Sequence, residues 1–168
     1  MTHETDDDEF GAYVAARWPR LVRAAVLLGC TPHEAEDVVQ TALTRCLAKW
    51  SRVQRADDRD AYVHRILVNT FIDSRRRRWH REQPTEHLPE GELPDTAGTT
   101  VDAVGLARAL AALGRDQRVA IVLRYYLDLS EAQMAAVLGV APGTVKSRLS
   151  RALAALGADP HLSTQEIR

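Results

Sequence analysis

Apolar residues recur at helical spacing along most of the chain. Tyr13, Val14, Trp18, Leu21, Val22, Ala25 and Leu28 predict a helix over 9–28. Pro19, which has no N–H for the preceding turn, should kink that helix or divide it. Thr31-Pro32-His33-Glu34 is a helix start: a capping hydroxyl, a proline at the first helical position and a glutamate three residues after the cap. From there Ala35, Val38, Val39, Ala42, Leu43, Cys46, Leu47 and Trp50 form one unbroken inward stripe. A third helix begins near Asp60, turns Val63, Ile66, Leu67, Thr70 and Phe71 inward, and runs into DSRRRRWHRE at 73–82.

The periodicity then stops. Residues 83–102, QPTEHLPEGELPDTAGTTVD, hold three prolines and no helical or strand period, so they read as a linker. Helical spacing resumes in LARALAAL at 106–113 and QRVAIVLRYYL at 117–127. Ser130 and Gln133 form a capping box for a short helix lined by Met134, Ala135 and Leu138 and closed by Gly139. A turn through Val140-Ala141-Pro142-Gly143 leads to a second amphipathic helix with Val145, Leu149, Ala152, Leu153 and Leu156 inward. No β-branched run alternates over a strand length. The expected fold is all-α: two small helical domains, 9–82 and 103–157, joined by the flexible linker 83–102 and followed by a tail, 158–168.

A short capped helix, a glycine-containing turn and a second amphipathic helix are the parts of a helix-turn-helix, whose second helix enters the DNA major groove. Its outward face, Thr144, Lys146, Ser147, Arg148, Ser150 and Arg151, contains no acidic residue and suits phosphates and base edges. Arg75, Arg76, Arg77 and Arg78 are consecutive, so at 100° per residue they point to every side of their helix. Either that helix projects beyond the domain or some of the arginines meet a polyanion. The plain alternative is a solvated helix end with Asp73 paired to Arg76 or Arg77. Asn69, Asp73 and Arg76 share one polar face just before this run.

Net charge is −1, but unevenly spread: the linker carries Glu86, Glu90, Glu92, Asp95 and Asp102 and no Lys or Arg, while 103–168 hold eight Lys or Arg and five acidic side chains. Local patches must therefore decide the partner. Two cysteines and no signal-peptide pattern predict a reduced, cytoplasmic protein. Cys30 with His33 has a metal-like local spacing, but no second pair completes a site; no cofactor is expected. No apolar run approaches the roughly 20 residues needed to cross a bilayer. The histidines are scattered and there is no phosphate-cradling glycine loop, so an enzyme is not expected. The acidic start, Asp6 to Glu9, has no task readable in the sequence.

Three segments in this order, EAEDVVQTALTRCLAKW (34–50), DAYVHRILVNTFIDSRRRR (60–78) and VLRYYLDLSEAQMAAVLGVAPGTVKSRLSRALAAL (122–156), resemble bacterial sigma factors of the extracytoplasmic-function (ECF) group, the small two-region type of the sigma-70 family. The resemblance implies a region 2-like bundle, a region 4-like helix-turn-helix and a role in promoter recognition and opening. Its implied partners are core RNA polymerase, through clamp helices and flap region, promoter DNA and, as an option, an anti-sigma factor. Asp37, Gln40, Thr41 and Thr44 would then dock on polymerase, a surface that by itself is an ordinary solvated face. Asn69, Asp73 and Arg75 to Arg78 would serve the minus-ten element. Lys146, Ser147, Ser150 and Arg151 would face the minus-thirty-five element, with Thr144 and Arg148 on phosphates. Thr41 stands where the family usually has an acidic residue. The alternative, a helix-turn-helix regulator acting without a sigma role, leaves the arginine run and the first domain without a task.

Overall fold

The computed structural model describes residues 2–81 and 101–158. The expected linker lies almost wholly outside the described residues, as does the tail beyond Ala158. The described residues are helices and turns without a strand, and the chain divides into two compact units.

In the first unit, α1 (Thr2–Leu27) starts earlier than the apolar pattern suggests and runs through Pro19 without being divided. Pro19 and Ala15, whose carbonyl loses its helical partner, are both exposed, so water can take over the missing bond. The predicted capping box opens α2 (Pro32–Leu47): the Thr31 hydroxyl accepts the Glu34 N–H, and the Glu34 carboxylate accepts the Thr31 N–H at 2.9 Å. Such a cap is worth about 1 kcal/mol. Ala35, Val38, Val39, Ala42, Leu43 and Cys46 are buried as expected.

Leu47 departs from that stripe. Following Cys46 by one residue, it is turned about 100° from the stripe's centre and is 45% exposed. Trp50, opening the short α3 (Trp50–Gln54), is buried again. Asp58 accepts the Ala61 N–H at the start of α4 (Arg59–Arg81), and α4 packs along α2 through buried Val63, Leu67, Val68 and Phe71.

The second unit holds α5 (Val101–Ala112), which begins inside the segment expected to be linker, and α6 (Arg115–Ile121). The helix expected to continue to residue 127 instead widens into a π-helical turn, Val122–Tyr126, with the Leu127 N–H bonded to the Val122 carbonyl at 3.0 Å. Val122, Leu123, Leu127 and Leu129 are all buried around this turn. Asp128 then turns the chain at φ 56°, in the left-handed region where Asp is better tolerated than most residues.

Ser130 and Gln133 form the expected capping box of α7 (Glu131–Leu138), and Gly139 ends it at φ 65°. Pro142 opens α8 (Pro142–Gly157), whose buried side is Val145, Leu149, Ala152 and Leu156. Leu153 is only half-buried. Both α6 and α7 pack on α8, so the helix-turn-helix has its own apolar support.

Candidate polymerase and promoter surfaces

On α2 the side chains of Asp37, Gln40, Thr41 and Thr44 are all exposed on one face. The Thr44 hydroxyl donates back to the Gln40 carbonyl at 2.9 Å, and His33 lies 3.9 Å from Asp37. Leu47 adds an exposed apolar group one turn beyond Thr44, a residue whose helical spacing alone suggests the core. Its signal was its place at the stripe's margin.

Where α4 leaves the core, its charged groups turn back onto α2. Asp73 lies between Arg45 of α2, at 3.2 Å, and Arg76, at 3.9 Å. Arg45 also donates to the hydroxyl of buried Thr70 at 3.1 Å. Asn69 and Asp73 are half-buried, while Arg76 and Arg77 are exposed. The Arg77 Nε donates to the Asp73 carbonyl at 3.4 Å.

Arg75 and Arg78 take a different course. Both pair with Glu34, Arg75 at 3.6 Å and Arg78 in close hydrogen-bonded contact. Arg75 also lies over the Phe71 ring, 5.4 Å from its centroid. Burial by itself would raise the Glu34 carboxyl; the Thr31 N–H, Arg78 and Arg75 outweigh it and hold it below the ordinary value. The four-arginine run is therefore relieved from inside the protein by a carboxylate 41 residues before Arg75, which periodicity could not reveal. Trp79, 80% exposed, follows on the same helix end.

A second cluster braces this unit from α1. The Asp60 carboxylate accepts from the Tyr13 hydroxyl at 2.8 Å and from two Arg17 nitrogens at 3.2 and 2.9 Å. Burial opposes ionisation of Asp60, but Arg17 and Tyr13 prevail and its carboxyl sits below the ordinary value. Burial first, then Asp60, pushes the Tyr13 hydroxyl well above its usual range. Phe10 and Tyr13 both meet the Trp50 ring, at centroid distances of 5.1 and 5.6 Å. The acidic start does more than stay in water: Glu9 pairs with Arg59 at 3.0 Å, and Gln54 bonds Asp6 and Glu9.

In the second unit α8 presents Lys146, Ser150 and Arg151 as exposed side chains, and Thr144, Ser147 and Arg148 as half-buried ones. Arg151 bonds the Ser147 carbonyl and hydroxyl, at 3.3 and 3.2 Å. The face lacks acidic residues of its own, but neighbouring helices supply them: Asp116 of α6 pairs with Arg148 at 2.9 Å, and Glu131 of α7 lies 3.9 Å from Lys146. With only 22% of its side chain exposed, Arg148 is oriented by its partner. A groove lined by Gly114 to Gln117, Thr144, Arg148 and Arg151 adjoins this face. Arg115, in that groove, is a cation that sequence reasoning passed over. Both cysteines are buried, and the Cys46 thiol is pushed by burial to about 12. Among the described residues no cluster of His, Cys, Asp and Glu could hold a metal, and no helix is long and apolar enough to cross a membrane.

Known proteins share this arrangement. The family models for Sigma-70 region 2 and Sigma-70, region 4 match residues 14–81 and 104–156. The "RNA polymerase sigma-E factor" of Streptomyces coelicolor is 40% identical over 148 residues, 88% of this chain and 84% of the relative. The "ECF RNA polymerase sigma factor SigL" of Mycobacterium tuberculosis is 34% identical over 166 residues, 94% of this chain and 88% of the relative. The chain belongs to the ECF group of sigma-70 family sigma factors. As an ECF sigma factor it works with core RNA polymerase in promoter recognition and opening, and it is not an enzyme. Among solved structures it is similar to the sigma factor RpoE of Bartonella quintana, captured with the anti-sigma factor NepR: TM-score 0.73, 30% identity, 88% of this chain and 94% of that one. CnrH, captured with the cytosolic domain of CnrY, is similar at TM-score 0.58 and 27% identity, over 90% of this chain and 87% of that one.

Proposed function

We propose the following division of labour within this ECF sigma factor. Residues 9–82 form the region 2-like domain and 103–157 the region 4-like domain, with 83–102 connecting them. The exposed face of Asp37, Gln40, Thr41 and Thr44, extended by Leu47, docks on the polymerase clamp helices. The end of α4, with Asn69, Asp73 and the run Arg75 to Arg78, engages the minus-ten element and helps to open it. On α8, Lys146, Ser147, Ser150 and Arg151 read the minus-thirty-five element, and Thr144 and Arg148 hold phosphates. The observation that supports this reading is the exposure of these groups: Asp37, Gln40, Thr41 and Thr44 on α2 and Arg76 and Arg77 on α4 are exposed in one small unit, with Asp37 beside the arginine hollow, and α8 presents Lys146, Ser150 and Arg151 on its own apolar support.

An anti-sigma factor is inferred as a regulator, supported by the two solved relatives captured with such partners or with a partner's cytosolic domain. Action alongside RNA polymerase supports a cytoplasmic location. The deciding experiment is transcript 5′-end mapping after the purified protein is added to sigma-free core polymerase on genomic DNA. New starts sharing two upstream motifs are expected. No new starts, from a core shown competent with another sigma factor, would count against this division of labour, and a pull-down on core would then locate the failure.

A further inference from the structure

Arg75 and Arg78 lie three residues apart on α4, and both reach one carboxylate, Glu34. That carboxylate is itself fixed, because it accepts the Thr31 N–H as half of the α2 capping box. Cys30, Asp37, Val38 and Ser74 complete the small hollow around the three charges. Arg76 and Arg77, on the same helix turn, remain exposed. The basic run is thus split into an exposed pair, whose contacts are with Asp73 of their own helix, and a pair drawn onto Glu34 of α2.

We propose that Glu34 is a positioning residue that stands in for a DNA phosphate, so that the free protein offers Arg76 and Arg77 to a strand and holds Arg75 and Arg78 in reserve. This rests on the reading that α4 meets promoter DNA. Carboxylate and phosphate compete for the same guanidinium geometry. Because Glu34 is tethered and held by its cap, its effective concentration at the two arginines is high. A loosely bound strand therefore cannot displace it. A strand already placed by other contacts can, and the reserve pair then tightens a complex that has formed at the right site.

The test uses the full chain, a short fluorescein-labelled single-stranded DNA of mixed sequence, and anisotropy titrations over a range of salt. The informative variant is Glu34→Gln. Glutamine at this position keeps a capping box, as Gln133 does at the start of α7, while removing the charge that holds the arginines. Glu34→Gln should bind more tightly, and its log K against log salt should steepen by up to about 1.4, the value for two added phosphate contacts on a single strand. The gain should vanish when Arg75→Ala and Arg78→Ala are added. Glu36→Gln removes the same charge from an exposed position on α2 and should leave the slope nearly unchanged.

Equal slopes for Glu34→Gln and Glu36→Gln, both folded, would overturn the proposal. Should Glu34→Gln fail to fold, two double variants decide: Arg75→Ala/Arg78→Ala should lose clearly less strand affinity than Arg76→Ala/Arg77→Ala, and equal losses would overturn the idea. If Arg76→Ala/Arg77→Ala binds like the parent protein, the reading of α4 itself fails and this inference with it.

Discussion

Arg45 of α2 stands 3.2 Å from Asp73 of α4 and donates to the buried Thr70 hydroxyl at 3.1 Å. One guanidinium thus joins the helix of the proposed polymerase surface to the helix of the proposed minus-ten surface. Arg45→Ala should lower stability by about 1 kcal/mol, since the pair is half-exposed and screened but the Thr70 bond is sheltered. Arg45→Lys keeps the charge but not the planar guanidinium whose one Nη reaches both Thr70 and Asp73, so it should recover only part of that. Urea unfolding of the three proteins checks the order, and equal midpoints would show that the bridge adds nothing to stability.

Leu47 offers a clean separation of binding from folding. Leu47→Asp should leave thermal stability nearly unchanged, because the side chain is already 45% exposed, yet it should weaken capture on immobilised core polymerase. A large drop in Tm would mean that Leu47 belongs to the core after all.

The two proposed promoter surfaces should fail at different steps. Arg151→Ala should weaken duplex recruitment through the upstream element and lower the salt dependence by roughly one phosphate or base contact. Asn69→Ala should leave recruitment intact and slow strand opening, read as permanganate reactivity of thymines near the start site. Matching losses of both steps in both variants would contradict the assignment.

Acid and alkali should act on the Tyr13–Arg17–Asp60 cluster in opposite ranges. The folded Asp60 carboxyl lies below its unfolded value of about 3.9, so its contribution is complete above that pH and fades as pH falls through the folded value. Tyr13 is displaced upward, so its contribution is present below about pH 10 and is lost as pH rises beyond it. Asp60→Asn should be less stable at neutral pH and show a shallower acid loss. Absorbance titration should find one of the four tyrosines ionising later than the rest, and Asp60→Asn should bring it closer to them.

Much of this protein was legible along the chain. The capping boxes at Thr31–Glu34 and Ser130–Gln133, the left-handed stop at Gly139 and the inward faces of α2 and α8 depend on residues within a turn or two of each other. Local geometry decides them, so spacing alone predicts them. The π-helical turn at Val122–Tyr126 escaped that reading because the apolar residues through Leu127 also suit a regular helix, and nothing in their spacing marks the bond from the Leu127 N–H back to the Val122 carbonyl.

The sequence by itself determined the helical class, the helix-turn-helix and the set of charged residues available to a nucleic acid, because helix period and capping chemistry are properties of short segments. Only the tertiary structure decided which of those charges face outward. Glu34 meets Arg75 and Arg78, Arg45 meets Asp73, and Asp60 meets Arg17 across separations of dozens of residues. Periodicity says which side of a helix is apolar, but a charged side chain at the margin goes to whatever partner the crossing helix brings within reach.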